Sequence, residues 1–266
     1  MNIQDGLRIR VLGGGSPPGS EGAPHTVMTF PDRLVHRGLV GTSALPRPPG
    51  APVAGSSPLS ADVVLRVTAV RKSFGSREVL RGVSFEARAG QLVGIVGENG
   101  AGKTTLLRIL SGDLRPDDGR VDLLGTRGYC PQHPVLDEEL TMRQHLRLFQ
   151  VAYRLPGPGR ALRLIEGLSA AGYLDTPVKF LSGGTLQKLN LVLALMHDPD
   201  VVLLDEPYQG FDWETYLRFW DLAQELRGRG RTVIIISHLA HDAARLDVLH
   251  QLHDGVLGPS PTADTA

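Results

Sequence analysis

A glycine-rich loop that separates an apolar run from a helical pattern constrains this chain more than any other feature. Residues 97–104 read Gly-Glu-Asn-Gly-Ala-Gly-Lys-Thr, which fits the pattern G-x-x-x-x-G-K-[ST]. The loop follows the apolar residues 92–96 and precedes the helical pattern of residues 105–110. In such a setting the backbone N–H groups of the loop surround a phosphate at a helix N-terminus. The sequence therefore predicts a phosphate-binding loop within an α/β core.

Two side chains of this loop suit nucleotide phosphates bound together with a metal ion. Lys103 is placed to reach the β- and γ-phosphate oxygens, and the Thr104 hydroxyl can ligate Mg²⁺. A plain glycine-rich turn is the alternative, but the chain has only four lysines, and strand, loop and helix follow in the order that the motif requires. The residues predicted to bind nucleotide here are Gly97, Glu98, Asn99, Gly100, Ala101, Gly102, Lys103, Thr104 and Thr105.

Two adjacent carboxylates follow a second apolar run. Residues 201–207 read Val-Val-Leu-Leu-Asp-Glu-Pro, which places Asp205 and Glu206 at the carboxyl end of a buried strand, where ligands bind in open α/β sheets. Asp205 suits contact with Mg²⁺ through water, and Glu206 suits general-base activation of an attacking water. Such a pair alone is usually a solvated strand end, and its pairing with the phosphate loop favours catalysis.

Three short apolar runs indicate the fold class. The runs at residues 92–96, 201–204 and 233–236 are too short for helices and are flanked by helical patterns, as buried strands of a parallel sheet are. Strand patterns at residues 63–67 and 83–87 predict an antiparallel pair. We therefore predict an α/β fold: a P-loop NTPase core with a mainly parallel sheet, an antiparallel β subdomain, and a helical subdomain inserted at about residues 133–182.

Capping signals predict two helices in the inserted region. Thr141 and Gln144 form the sequence pattern of a capping box, which predicts a helix that reaches about Leu155. A second helix is predicted over residues 159–171, with Gly172 as its C-terminal cap.

Charge and cysteine content exclude several classes of function. The 28 basic residues balance 28 acidic ones, so no net positive field attracts nucleic acid, and we expect no nucleic-acid partner. The single cysteine, Cys130, excludes an intrachain disulfide and a four-cysteine zinc site. No apolar run approaches the roughly 18 residues that span a bilayer, and the first residues lack a secretory pattern. We therefore expect a cytoplasmic protein.

The first 60 residues differ in composition from the rest of the chain. They contain nine Pro and ten Gly, which predicts a disordered extension. A docking tail, or a chain that begins at Met28, is the alternative. A folded domain is predicted over residues 61–258, and a disordered tail over residues 259–266.

A tetrapeptide before the second carboxylate-bearing strand carries a family resemblance. Residues 181–184 read Leu-Ser-Gly-Gly, and residues 62–258 resemble the nucleotide-binding domain of an ATP-binding cassette (ABC) protein. The resemblance implies that two chains enclose two molecules of ATP with Mg²⁺. It also implies that Ser182, Gly183 and Gly184 meet the γ-phosphate of ATP held by the opposite subunit, as a helix N-terminus can.

Four further residues take roles from this resemblance. Gln132 resembles the glutamine that touches Mg²⁺ and the attacking water, and His238 resembles the histidine that contacts the γ-phosphate. Phe74 resembles the aromatic residue that stacks on adenine, and Asp212 lies where a loop bridges the two subunits. An ordinary surface or core residue is the alternative for Gln132, for His238 and for Phe74.

Three residues depart from the family pattern. Thr185 stands where glutamine is common in the family. We expect this difference to alter the affinity for phosphate and not the identification of residues 181–184 as the family signature. Tyr208 replaces a small residue, and Phe211 is bulkier than the usual aliphatic residue. We expect these two to alter communication between the nucleotide sites.

The resemblance implies the ATPase subunit of a transporter, peripheral on the inner face of the cell membrane. Its partners would be a second copy of the chain and a separate transmembrane permease. Residues 140–146 and the short helix that follows them resemble the coupling region of exporter-type ATPases. Phe149, Val151 and Tyr153 are candidate permease contacts, with internal packing as their alternative. A soluble ABC ATPase of the iron–sulfur cluster assembly type is the alternative function.

Overall fold

The computed structural model describes residues 62–237 and 242–259. Three expectations fall outside these residues and stay predictions. They are the disordered extension at residues 1–60, the phosphate-contacting His238, and the disordered tail at residues 260–266. Pro259, the first residue of the predicted tail, is instead the last residue of a strand.

The described residues form nine strands and five α-helices. The strands are β1 (Val63–Phe74), β2 (Arg77–Arg88), β3 (Leu92–Val96), β4 (Asp118–Leu123), β5 (Arg127–Cys130), β6 (Val201–Asp205), β7 (Thr232–Ser237), β8 (Val248–His253) and β9 (Val256–Pro259). The helices are α1 (Lys103–Ser111), α2 (Met142–Ala152), α3 (Gly159–Gly167), α4 (Gly183–Leu195) and α5 (Trp213–Gly228). Short 3₁₀ turns occupy Ala171–Tyr173, Val178–Phe180 and Ala243–Arg245.

Two sheets organise these elements. A three-stranded antiparallel sheet has the order β2-β1-β4, and the tight turn between β1 and β2 uses Gly75 at φ +59°. The second sheet has the order β5-β6-β7-β3-β8-β9, and only its last pair is antiparallel. The three apolar runs are the adjacent strands β6, β7 and β3, which confirms the predicted α/β fold with a mainly parallel sheet.

The six-stranded sheet divides the core into two layers. Successive residues of a strand point to opposite faces. On β6, Val202 and Leu204 pack in a cluster with helices α2 to α5, whereas Val201 and Leu203 pack with α1 and the antiparallel sheet. Because both faces of the sheet are covered, the central strands are apolar throughout and do not alternate apolar with polar residues. Polar residues follow at the carboxyl ends of these strands.

The capping box at the start of α2 is present as predicted. The Thr141 hydroxyl accepts a hydrogen bond from the backbone N–H of Gln144, and the Gln144 side chain accepts one from the backbone N–H of Thr141. This reciprocal pair satisfies two N–H groups that a helix start leaves without a partner.

Both helices of the inserted region end earlier than predicted. Helix α2 ends at Ala152 and not near Leu155, and α3 ends at Gly167 and not at residue 171. In each case a residue other than glycine takes the left-handed conformation that stops the helix, Arg154 at φ +55° and Ser169 at φ +53°. Gly172, the predicted cap, lies instead within a 3₁₀ turn.

Of the three candidate permease contacts, two pack inside the protein. Phe149 is buried, and the Tyr153 ring stacks on His197 with 4.1 Å between ring centroids. Val151 is the exposed member. The internal-packing alternative therefore holds for Phe149 and Tyr153. No helix within residues 62–237 and 242–259 is long and apolar enough to cross a bilayer.

Candidate nucleotide-binding site

The glycine-rich loop lies between β3 and α1, and its lysine folds back over it. Lys103 Nζ donates to the carbonyl oxygens of Gly97 (2.7 Å) and Glu98 (3.0 Å). Burial lowers the pKa of Lys103, while the charges of Glu206 and Asp205 oppose that shift. A cation held under a loop of backbone N–H groups is a site for a polyanion.

Two glycines of the loop are required by close backbone approach. A Cβ on Gly97 would lie 2.2 Å from the carbonyl oxygen of Leu252. Gly102 has φ +104°, and a Cβ there would lie 2.9 Å from the carbonyl oxygen of Val79. The loop therefore keeps its shape only without side chains at these positions.

Asp205 lies at the carboxyl end of β6, beside the start of α1. Its side chain is almost fully buried and hydrogen-bonds the Thr104 hydroxyl, while Oδ2 is buried without a hydrogen-bond partner. Burial raises the pKa of Asp205, and the Thr104 hydrogen bond opposes that shift. A hydroxyl and a carboxylate oxygen that lacks a partner are hard ligands of the kind that Mg²⁺ prefers, so these residues fit the predicted metal.

Glu206 has an uncommon backbone conformation. Its φ is +50°, in the left-handed region, and its backbone N–H donates to the carbonyl oxygen of Ile236 on β7 (3.0 Å). Its carbonyl oxygen accepts from the Gln187 side chain of α4 (3.5 Å). Glu206 is thus connected through its backbone to both the central sheet and helix α4.

Gln132 lies at the same edge of the sheet as Asp205. Strands β5 and β6 are parallel with Cys130 opposite Leu204, so the residues that follow each strand emerge side by side. The Asn190 side chain donates to the carbonyl oxygen of Pro131 (2.7 Å) and fixes the chain just before Gln132. Gln132 is half-buried at this edge, and its contact with Mg²⁺ and the attacking water stays a prediction.

The Leu-Ser-Gly-Gly segment opens helix α4. The Ser182 hydroxyl caps the helix by accepting from the backbone N–H of Thr185 (3.2 Å), and the two hydroxyls lie 2.9 Å apart. A Cβ on Gly184 would lie 2.3 Å from the carbonyl oxygen of Gly210. Within one chain, the start of α4 therefore packs against residues 210–212, and the described contacts of Gly184 are not with the phosphate loop.

Asp212 caps helix α5. Its carboxylate accepts from the backbone N–H (2.8 Å) and the hydroxyl (3.0 Å) of Thr215, and these hydrogen bonds lower the pKa of Asp212. Lys188 Nζ of α4 lies 4.0 Å from the carboxylate. Asp212 therefore caps a helix within its own chain, and its role in bridging two subunits stays a prediction.

Phe74 lies at the end of β1 with half of its surface exposed to solvent. Lys72 Nζ lies 5.6 Å from the centre of its ring. An exposed ring beside a cation offers a face on which a base can stack.

Sequence reasoning missed two residues that contact the site. Arg77 donates to the carbonyl oxygen of Gly100 (3.4 Å), which adds a second cation near the phosphate loop. The Gln187 side chain donates to the carbonyl oxygen of Glu206 (3.5 Å). Neither belongs to a motif, and Arg77 reaches the loop only because β2 folds beside it, so no local signal identifies them.

Three comparisons with known proteins all find similarity to ATP-binding proteins of transporters. The family model described as "ABC transporter" matches residues 80–209. The chain is 35% identical over 215 residues to Nod factor export ATP-binding protein I of Ralstonia nicotianae, covering 75% of this chain and 65% of that protein. It is 35% identical over 201 residues to daunorubicin resistance ATP-binding protein DrrA3 of Streptomyces coeruleorubidus, covering 70% and 64%.

The chain thus spans less than two thirds of the length of these two curated relatives. Among solved structures, it resembles one described as the ATP binding subunit of an ABC transporter, with 28% identity and a TM-score of 0.68. That match covers 74% of this chain and 90% of the solved one.

Proposed function

Because this chain belongs to the ABC transporter family, as an ATP-binding cassette, we propose that it binds ATP with Mg²⁺ and hydrolyses it to drive a separate membrane permease. The observation that carries the proposal is the meeting of Lys103 and Thr104 with Asp205 and Glu206 at one sheet edge.

ATP binding uses the phosphate loop and β1. Residues 97–105 surround the phosphates with backbone N–H groups, and Lys103 exchanges its carbonyl partners for phosphate oxygens. Arg77 adds positive charge beside the loop. Phe74 receives the adenine ring on its exposed face.

Mg²⁺, when bound, neutralises charge that develops on the β- and γ-phosphate oxygens. Thr104 and Asp205 hold it, with Gln132 reaching the same place from the end of β5. The buried Asp205 oxygen without a partner supports this assignment.

Hydrolysis uses Glu206 as the general base. In this proposal its carboxylate, one residue beyond Asp205 at the end of a buried strand, takes a proton from the attacking water. Gln132 orients that water, and His238 contacts the γ-phosphate in this proposal. Glu206 follows β6 and Gln132 follows β5, and because these strands are parallel neighbours in one sheet, the sheet fixes the spacing between the two residues.

Dimerisation completes each nucleotide site. Ser182, Gly183 and Gly184 present a helix N-terminus that packs beside residues 210–212 of its own chain. We propose that this surface meets the γ-phosphate of ATP held by a second copy, with Asp212 at the contact between the two. Two identical chains then enclose two molecules of ATP.

Export is the transport direction that we propose. The two curated relatives named above carry export and drug-resistance names, which favours an exporter over a soluble iron–sulfur assembly ATPase. We place the protein in the cytoplasm, peripheral on the inner face of the membrane. The permease surface is the segment after Gln132 through α2, where Val151 is exposed.

Cross-linking in intact cells tests the transport assignment. Photo-cross-linkers placed at Val151 and Arg147, both on α2, should capture a membrane protein with several spans, and the tagged chain should sediment with membranes. The same cross-linker at Arg120 of β4 is the matched control and should capture much less. Cross-links confined to soluble iron–sulfur assembly proteins would contradict the proposal.

A further inference from the structure

Two tyrosine hydroxyls share one buried carboxylate beside the catalytic edge of the sheet. Asp242 is 5% exposed, and its two oxygens accept hydrogen bonds from Tyr208 (3.1 Å to Oδ2) and Tyr216. The Tyr208 hydroxyl also hydrogen-bonds the Ser237 hydroxyl (2.9 Å). A buried carboxylate that receives two hydroxyl donors is satisfied and holds both donors in place.

Tyr208 belongs to the segment that carries Glu206. It follows Glu206 by two residues, and its backbone carbonyl accepts from the N–H of Phe211 (3.1 Å). Its ring packs edge-on against Phe219 of α5, with 5.4 Å between ring centroids. The ring is therefore anchored independently of the hydroxyl, and the hydroxyl has a separate role.

The hydroxyl connects the Glu206 segment to the next strand a second time. The Glu206 backbone N–H already donates to Ile236, the residue before Ser237 on β7. Tyr208 then bonds Ser237 itself, so two successive residues of β7 hold the segment at two points. A second attachment to the same strand further restricts the orientation of the Glu206 segment.

We propose that Tyr208 is a positioning residue that holds the Glu206 carboxylate in its orientation for attack on the γ-phosphate, through the hydroxyl bonds to Ser237 and Asp242. The inference rests on the proposed function, since Glu206 is the base there. The left-handed backbone of Glu206 gives the reason that positioning is needed: this conformation persists only where surrounding contacts hold it.

Tyr208→Phe tests the proposal, with Tyr216→Phe as its matched control. Each variant keeps its ring and removes one hydroxyl donor from Asp242, but only Tyr208 is attached to the Glu206 segment. We expect Tyr208→Phe to lower kcat for ATP about tenfold, equal to about 1.4 kcal/mol, with KM unchanged. Tyr216→Phe should keep kcat within about twofold of the wild type.

Amide hydrogen exchange supplies a readout that does not depend on turnover. The Glu206 N–H donates to Ile236 (3.0 Å), and the Gln209 N–H donates to the Glu206 carbonyl (3.2 Å). Tyr208→Phe should speed exchange of these two amides by about tenfold, and Tyr216→Phe should not. A general loss of stability would instead speed exchange in both variants.

The outcomes separate this inference from the proposed function. If Glu206→Gln abolishes turnover while Tyr208→Phe retains it, the inference is wrong and the proposed function stands. Equal losses of kcat in both tyrosine variants would also overturn it. If the wild-type chain does not hydrolyse ATP, the proposed function fails. Independently of turnover, equal exchange rates of the Glu206 and Gln209 amides in Tyr208→Phe and Tyr216→Phe would overturn the inference.

Discussion

Gly184 approaches the backbone of Gly210 so closely that no side chain fits at position 184. A Cβ on Gly184 would lie 2.3 Å from the Gly210 carbonyl oxygen, a distance that real Cβ atoms do not reach. This contact joins the start of α4 to the segment that ends at Asp212. Two elements that we propose for the dimer surface therefore pack directly against each other within a single chain.

Gly184→Ala should destabilise the protein by about 1–3 kcal/mol, because the backbone must shift to admit the methyl group. Gly183→Ala is the matched control, since a Cβ there meets nothing within 4 Å. Thermal unfolding of both variants measures the difference. Equal melting temperatures in the two variants would show that the close approach does not constrain the fold.

Lys103→Ala should weaken ATP binding rather than only slow turnover. The variant loses charge-assisted bonds to phosphate, worth about 1.5–3 kcal/mol, which raises Kd roughly tenfold to a hundredfold. Lys179→Ala is the control, because Lys179 pairs with Glu139 on the surface. Titration with a fluorescent ATP analogue reports Kd, and an unchanged Kd in Lys103→Ala would remove the lysine from its assigned role.

The stability of the protein should fall as the pH drops below about 6.5, and buried His145 should account for part of that fall. Its Nδ1–H donates to the Thr141 carbonyl oxygen (3.1 Å), and Nε2 accepts from the Asp137 N–H (3.2 Å), which requires a neutral ring. Burial lowers the pKa of His145, while the Thr141 bond and the Asp137 charge oppose this.

The direction of this change in stability follows from the number of protons that the folded and unfolded chains bind. Because the folded pKa of His145 lies below the unfolded value, the unfolded chain binds more protons between the two values, so stability is lost as pH falls through that window. His145→Gln should show a smaller loss between pH 7 and pH 5 in chemical denaturation. Burial also lowers the pKa of His197 and His250, so part of the pH dependence should remain. An identical slope in the variant would contradict the assignment.

A variant that begins at Ala61 should keep both its melting temperature and its ATPase rate. The Pro- and Gly-rich composition of residues 1–60 predicts a passive, disordered segment, so its removal costs no packing. Differential scanning calorimetry of the two chains is the measurement. A drop of more than about 4 °C would mean that the segment contributes packing to the folded domain.

The architecture was largely readable from the sequence because its strongest signals are local. Apolar runs of strand length mark β3, β6 and β7, and the capping box at Thr141 marks the start of α2. The ends of α2 and α3 were not readable, because Arg154 and Ser169 adopt a left-handed conformation that sequence patterns assign to glycine. Tertiary contacts decided those ends.

The candidate site likewise contains residues that could be predicted from the sequence and contacts that could not. Motif residues such as Lys103 and Asp205 could be named because strand, loop and helix order fixes where they lie. The Tyr208 contact with Asp242 spans 34 positions and depends on how α5 packs, so the sequence revealed only that Tyr208 was unusual. The roles of the predicted nucleotide and Mg²⁺ residues stay predictions for the experiments above.

Single-turnover and steady-state hydrolysis by Glu206→Gln tests whether Glu206 is the general base. This variant should bind ATP as tightly as the wild type, lose turnover by about 10²–10⁴, and accumulate as an ATP-bound dimer. Glu214→Gln, an exposed carboxylate in the first turn of α5, is the control and should turn over normally. Wild-type turnover in Glu206→Gln would show that Glu206 is not the general base and that another group takes the proton.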